Sequence, residues 1–334
     1  MKIFLGVLVV LGLAGVAGFA YVNNWIEGPK GSGGRPVAVT IDRGSSAARI
    51  AETLEKRAVV DSALRFRLYL RKNGINQDLR AGNYELETAQ PFAALVAELK
   101  KGPPAEFVRL VIPEGFNLEQ TAAQVERLTH ISAADFLAEA TPAKIRPGIL
   151  PETSPTLEGF LYPSTYHVEE KETAATLVLR MLAEFSKQTQ TEGLDTSTAL
   201  GRTPYEMLVI ASLIEEEAKS DDERSRISAV IHNRLAQGIP LGIDATIQYA
   251  VKKYSGEPLT VSDLAIDSPF NSRTRAGLPP HPLSSPRASS VAAALNPAQE
   301  DSIYYVLTSD CVHHLFTADY NEFLRAKGQQ PTNC

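Results

Sequence analysis

The sequence predicts an α+β protein with an apolar amino-terminal helix, a small α/β unit and a larger mixed α/β unit. Three observations predict it. After Lys2, the stretch Ile3–Val22 holds 20 residues without a charge, about 30 Å of helix and so the thickness of a bilayer's hydrocarbon core. Val37, Val39 and Ile41 then alternate as a strand does, and a helical stripe of Ala47, Ile50, Ala51 and Leu54 follows. Finally, 334 residues suit roughly two domains of about 150 each. A hydrophobic content of 44% excludes wholesale disorder. The 33 basic and 39 acidic residues leave a net charge of −6, which argues against a chain-wide nucleic-acid binder. Two cysteines exclude a disulfide-dense scaffold and a four-thiolate zinc site.

Residues 1–22 read as a transmembrane anchor. A cleaved signal peptide has a shorter apolar core, of about 7–15 residues, and a small-x-small cleavage site. Here Ala17 and Ala20 stand three apart. Lys2 and the amino group on the short side place the amino terminus in the cytoplasm. The expectation is a single pass through the inner (cytoplasmic) membrane, with the rest of the chain on the periplasmic or extracytoplasmic side. Cys311 and Cys334 then share a compartment where disulfides persist. A bond between them would pin the last helix to its domain, and two unpaired thiols are the alternative.

Residues 23–36 form a linker, because Gly28 to Pro36 is dominated by glycine, proline and serine. Its glycines suggest a phosphate loop, yet no strand precedes them and no Gly-Lys-Ser/Thr follows. Residues 37–104 make the small unit. After the first strand and helix come a second helix around Ala63–Lys72, a turn and strand over Ala81–Leu86, and a helix over Pro91–Lys101. Gly102-Pro103-Pro104 closes it. Part of this pattern returns about 70 residues later. Ile41 to Gly44 and Ser62 to Phe66 resemble Ile112 to Gly115 and Ser132 to Phe136. Two copies are too few for a solenoid and indicate two similar strand–turn–helix modules. The first module resembles the LysM-like domain that binds peptidoglycan glycan. The alternative is a spacer holding the larger unit off the membrane.

Residues 105–334 make the larger unit. Thr203-Pro204-Tyr205-Glu206 reads as a capping box with proline at the first helical position. Ser220-Asp221-Asp222-Glu223 reads as a second box, opening a helix with Ile227, Val230, Ile231 and Leu235 on one side and Gly238 at its end. The first helix ends in Glu215-Glu216-Glu217. Three acids in a row are normally a solvated face. At about 100° per residue, Met207, Ile210, Ala211, Ile214 and Ala218 define an apolar stripe. Glu216 then points away from it towards water, and Glu217 borders it. A half-buried carboxyl beside other acids has a raised pKa, as a general acid working near neutral pH requires. Geometry therefore favours Glu217.

Ala211-Ser212-Leu213-Ile214-Glu215-Glu216-Glu217 resembles the Ala-Ser-Ile-Ile-Glu-x-Glu motif of endolytic murein transglycosylases (the MltG or YceG-like family). Further blocks agree in order: Leu157 to Tyr166 around Glu158-Gly159-Phe160, Val230 to Leu235 with Asn233-Arg234-Leu235, Asp244 to Ala250, and Phe270-Asn271-Ser272 followed by Gly277-Leu278-Pro279-Pro280. The likeness runs from about Val37 to Gln330. Phe270 and Ser272 replace the usual Tyr and Thr, which puts that loop's hydrogen bonding in question, and Glu216 stands where Lys is common.

The resemblance makes Glu217 the catalytic acid. It implies cleavage of the β-1,4 bond between N-acetylmuramic acid and N-acetylglucosamine within nascent strands, leaving a 1,6-anhydro end. One carboxylate then suffices, because the nucleophile is the substrate's own C6 hydroxyl. The family's usual role is to limit glycan length beside the peptidoglycan synthases (penicillin-binding proteins). Asn233, Arg234, Gln248, Tyr249 and Asn271 are candidate substrate contacts, since glycan recognition uses neutral amides and aromatics. Their alternative is structural, with Arg234 pairing to a helix acid and Tyr249 filling core. Glu158, an acid in an apolar run, must find a partner, either lining the cleft or capping a turn. The six histidines include no His-Glu-x-x-His, so neither metal nor cofactor is expected. Two other functions stay open: a hydrolase pairing Glu217 with Glu158 or Asp244, and a non-catalytic wall-binding protein.

Overall fold

Alternation along β1 (Pro36–Ile41) sends Val39 and Ile41 into a core and leaves Ala38 and Thr40 outside. The serines that follow fix the next two elements. Ser46 and Ser62 accept backbone N–H groups at the starts of α1 (Ala47–Lys56) and α2 (Ala63–Lys72). Strand β2 (Gly82–Glu87) returns antiparallel to β1, pairing Val39 with Tyr84, and α3 (Phe92–Lys101) covers the result. Phe66, fully buried, meets the Phe92 ring edge-on at 5.2 Å.

The computed structural model describes residues 17–28, 34–75, 78–104, 107–197, 199–254 and 257–329. The chain divides into two compact units, Met1–Glu106 and Phe107–Cys334. Most of the apolar stretch expected to cross the membrane lies outside the described residues. Residues 17–26 are helical, with Phe19 and Tyr21 exposed. Among the described residues no helix is long and apolar enough to cross a membrane. The fold is α+β, as the sequence predicts, with three two-stranded antiparallel sheets among the described residues.

The second unit opens by repeating the first. Strand β3 (Phe107–Val111), α4 (Leu118–Leu128), α5 (Ala133–Glu139) and β4 (Thr165–Glu169) follow the same strand–helix–helix–strand order, with β3 antiparallel to β4. The likeness extends to single residues. Gly44 and Gly115 both take left-handed backbone, with φ of 78° and 74°. Ser62 and Ser132 cap their second helices, and Phe66 and Phe136 are both fully buried. The segment between α5 and β4 carries Glu158. Gly159 beside it has φ of 88°, and a Cβ there would meet Pro282 at 2.6 Å.

Helices α6 (Ala174–Thr191), α7 (Pro204–Glu217), α8 (Arg224–Ala236), α9 (Asp244–Val251), the short α10 (Val261–Leu264) and α11 (Ala288–Leu295) build the rest of this unit. The hairpin β5 (Tyr304–Leu307) and β6 (His314–Thr317) follows, then α12 (Tyr320–Gly328). The Thr203–Glu206 box forms as expected. Two other expectations are corrected. The Ser220 box does not form: a 3-10 turn fills Asp221–Glu223, α8 begins at Arg224, and Glu223 turns its carboxylate to His314. Helix α7 is not single-striped either. Every residue from Met207 to Glu215 is buried, because α8, α9 and α11 pack around it.

Cys311 is disulfide-bonded, and Cys334 lies outside the described residues.

Candidate active site

The carboxyl end of α7 gives three adjacent acids three surroundings. Glu215 is buried, its side chain 3% exposed. It accepts the Arg287 Nε–H at 2.9 Å, the Arg287 backbone N–H at 3.1 Å and the Ser290 hydroxyl at 2.8 Å. The buried Arg224 guanidinium stands 3.6 Å away. This is a hydrogen-bonded buried ion network joining α7, α8 and the start of α11, which commits Glu215 to structure.

Glu216 is exposed, as the helical geometry requires, yet it does not face open solvent. A Cβ on Gly115 would lie 3.5 Å from its Oε1. It lines a hollow of about 60 Å³ with Asn117, Gln120, Gln248, Tyr249 and Tyr254. Burial first, and the charges of Glu215 and Glu217 next among the effects opposing ionisation, push its pKa up to about 7; Ser284 and Lys219 hold it lower than it would otherwise be. The one-stripe geometry treats the far side of α7 as water; that side is a cleft wall, because the second module's first loop comes across it.

Glu217 is half-buried and accepts the Tyr305 O–H at 2.8 Å. Burial chiefly raises its pKa; the Tyr305 hydrogen bond works against it, Asp244 adds to it, and His314 and Lys219 oppose it. Asp244, the first residue of α9, is exposed and held by Arg273 Nε at 2.9 Å. The end of α7 therefore presents two carboxyls that hold their protons longer than usual, Glu217 against Tyr305 and Glu216 in a groove of amides and tyrosines. That combination can deliver a proton to a neutral polyhydroxyl ligand.

The other six candidates separate into two groups. Gln248 and Tyr249 line the hollow with Glu216. A second hollow of about 470 Å³ shares Asn117, Tyr249 and Tyr254 with the first and continues to Phe270. Tyr249 is packed against Phe270 with ring centroids 5.0 Å apart. Glu158 borders this second hollow, but the residue is 3% exposed and its carboxyl is already engaged. It accepts the Leu118 N–H at the first turn of α4 at 2.9 Å and the Tyr249 O–H at 3.2 Å. Burial raises its pKa to about 8 against those donors. Glu158 thus caps a helix and holds Tyr249 at the same time.

Asn233, Arg234 and Asn271 spend their side chains on main-chain carbonyls. Asn233 Nδ2 donates to Glu300 O at 2.8 Å and Ser302 O at 3.0 Å. Arg234 donates to Ile303 O at 2.6 Å and Leu241 O at 2.5 Å, rather than to a helix acid. Asn271, fully buried, donates to Ile266 O at 2.9 Å and Leu264 O at 3.1 Å. The departures at 270 and 272 leave their loop bonded: Ser272 Oγ accepts the Ile243 N–H at 2.9 Å and lies 2.9 Å from Thr246 Oγ1. Sequence reasoning missed Tyr305, Tyr254, Asn117 and Gln120. Asn117 and Gln120 carry a legible sign, the capping box that opens α4 in the repeated module. Tyr305 carries none, standing 88 residues from its partner.

A sequence model of the YceG-like family matches residues 39–329. Proteins of two strains of Streptococcus pneumoniae, each named endolytic murein transglycosylase, are 32% identical over 332 residues, 91% of this chain. The chain spans 60% of their length. A Bacillus subtilis protein of the same name is 29% identical over 92% of this chain and 89% of its own. The crystal structure of a yceG-like protein of Listeria monocytogenes superimposes with a TM-score of 0.58 at 29% identity, covering 87% of this chain and 99% of that one.

Proposed function

The chain belongs to the YceG-like family, and on that premise we propose that it is a membrane-anchored endolytic murein transglycosylase. The observation that carries this is Glu217: a half-buried carboxyl with a raised pKa and a fixed phenol partner, next in the chain to Glu216, which lines a hollow of amides and tyrosines. Glu217 gives its proton to the oxygen bridging N-acetylmuramic acid and N-acetylglucosamine as the C1–O bond breaks. The C6 hydroxyl of the same muramic residue then bonds to C1 and returns its proton to Glu217. No water is consumed, and the product ends in a 1,6-anhydro ring. Because the nucleophile is tethered, its effective concentration replaces the second carboxylate of an ordinary glycosidase.

Digestion of isolated glycan strands followed by mass spectrometry tests the reading. Anhydro ends are expected. Reducing ends would make the protein a hydrolase, for which Asp244 is the better-placed second acid, since Glu158 is fully engaged. No cleavage would leave a wall-binding protein. Glu217→Gln should cost about 10²- to 10⁴-fold in rate. Since the first step needs the proton on Glu217, cleavage should fall as pH rises through its raised pKa.

The first unit is proposed to hold glycan in the manner of LysM-like domains. Supporting this is a hollow of about 510 Å³ at the β1–α1 loop, lined by Arg43, Gly44, Ser45 and Ser46. Residues 1–22 are proposed to anchor the chain in the inner membrane, with the bulk outside, where it meets nascent strands beside the synthases (penicillin-binding proteins). Cell fractionation tests both.

A further inference from the structure

We propose that Tyr305 is the positioning residue for Glu217, holding Oε2 so that Oε1 is the oxygen presented to the scissile bond, and that Asn233 and Arg234 serve the reaction by fixing Tyr305. This rests on Glu217 being the acid. The hydrogen bond is well formed, 2.8 Å from the phenol to Oε2. Burial, and after it the charge of Glu217, raise the phenol's own pKa well above its ordinary value, so Tyr305 is a donor at any working pH. A carboxyl at a helix end turns freely about its terminal bonds; one fixed donor on Oε2 removes most of that freedom and leaves Oε1 to face the substrate.

The phenol is itself held. Its ring lies edge-on to His314 at 5.5 Å and 6.1 Å from Phe316, both on the paired strand β6. His314 is locked in turn, since its Nδ1 and its backbone N–H each meet a Glu223 oxygen at 2.7 Å. The chain entering β5 is clamped from α8: Asn233 takes the carbonyls of residues 300 and 302, and Arg234 takes that of residue 303. The same Arg234 reaches Leu241 O, just ahead of α9, so one guanidinium sets the approach of both Tyr305 and Asp244 to the acid. Sequence motif and geometry thus converge: an Asn-Arg pair bonded to main-chain carbonyls still has a role in the chemistry.

The test is the pH–rate profile of glycan cleavage for wild type, Tyr305→Phe and Glu217→Gln. The groups facing Glu217 are Tyr305 from β5, His314 from β6, Asp244 from α9, Lys219 beyond α7 and its neighbour Glu216, whose own pKa the Glu217 charge raises. Of these, only Tyr305 is altered in the phenylalanine variant. Removing a donor that favours the carboxylate raises the acid's pKa. Tyr305→Phe should therefore lower kcat about tenfold near neutral pH and move the alkaline limb up by about one pH unit, with KM little changed. Tyr304→Phe, whose ring stacks on Phe323 instead, is the neighbouring control and should keep the wild-type limb. If Glu217→Gln cleaves at the wild-type rate, the acid is misassigned and the role of Tyr305 falls with it. If Glu217→Gln is inactive and Tyr305→Phe keeps the wild-type limb, the acid stands and the proposal is overturned, whatever happens to kcat. Should Tyr305→Phe melt below the assay temperature, titrating the ¹³C-labelled Glu217 carboxyl in the cold decides equally well: a midpoint moved upward supports the proposal, and an unmoved one overturns it.

Discussion

At the end of α7, Glu215 meets two arginines, Glu216 a wall of amides and tyrosines, and Glu217 a phenol. Consecutive helical residues point about 100° apart, so one short run can serve three elements at once. These surroundings decide which glutamine variant is the proper companion to Glu217→Gln. Glu216→Gln puts a neutral side chain of nearly the same shape among neutral amides. Steady-state kinetics on glycan strands should show kcat within about threefold of wild type, the change appearing in KM, because a cleft contact without proton transfer is worth far less than general acid catalysis. A loss in kcat approaching that of Glu217→Gln would move the chemistry to Glu216.

Helices α7, α8 and α11 are tied together by Glu215, Arg224, Arg287 and Ser290, and the stability of the cleft's floor depends on that tie. Taking the charge from Glu215 removes the buried anion that Arg287 bonds and Arg224 stands beside, a change that costs about 3 kcal/mol even though Arg224 keeps Asp221 at 2.8 Å. Glu215→Gln should lower the thermal midpoint of the second unit by roughly 10 °C, as differential scanning calorimetry would read; a midpoint within a degree of wild type would make the network decorative. What is legible in the sequence at this scale follows from the range of the forces. The Thr203–Glu206 box, the serine caps and the alternation of β1 are set by neighbours a few residues apart, and they can be read directly. The all-round burial of α7 cannot, since three helices from later in the chain create it. Nor can the fate of Ser220, where long-range pairing of Glu223 with His314 outweighs the local box.

Over the whole molecule, the internal repeat is the most informative sequence feature. Its two copies keep the left-handed glycine, the capping serine and the buried phenylalanine at matching places. They also put the same loop to related use: in the first unit it lines the hollow beside Arg43 and Ser46, and in the second it supplies the wall against Glu216. The site is less legible than the fold. Gln248 and Tyr249 are on the cleft, whereas Asn233, Arg234 and Asn271 spend their side chains on main-chain carbonyls. The proposed roles of the first unit and the anchor are separable by fractionating cells into membrane, sedimented wall and soluble pools. Deleting residues 1–22 along with supplying a cleavable export signal should empty the membrane pool. Ser45→Trp, which fills the first hollow, should instead reduce the wall-bound pool severalfold. If both variants distribute as wild type, neither assignment stands.

The pairing of Glu217 with Tyr305 also has a consequence in time. A chain made from its amino terminus carries the Glu217 carboxyl 88 residues before the phenol that bonds it. An interrupted chain ending anywhere in that interval has the carboxyl and the helix beneath it, but no holder for Oε2. The pairing on which the proposed chemistry depends is thereby among the late contacts the chain can make, and a product truncated before it has the carboxyl without its holder.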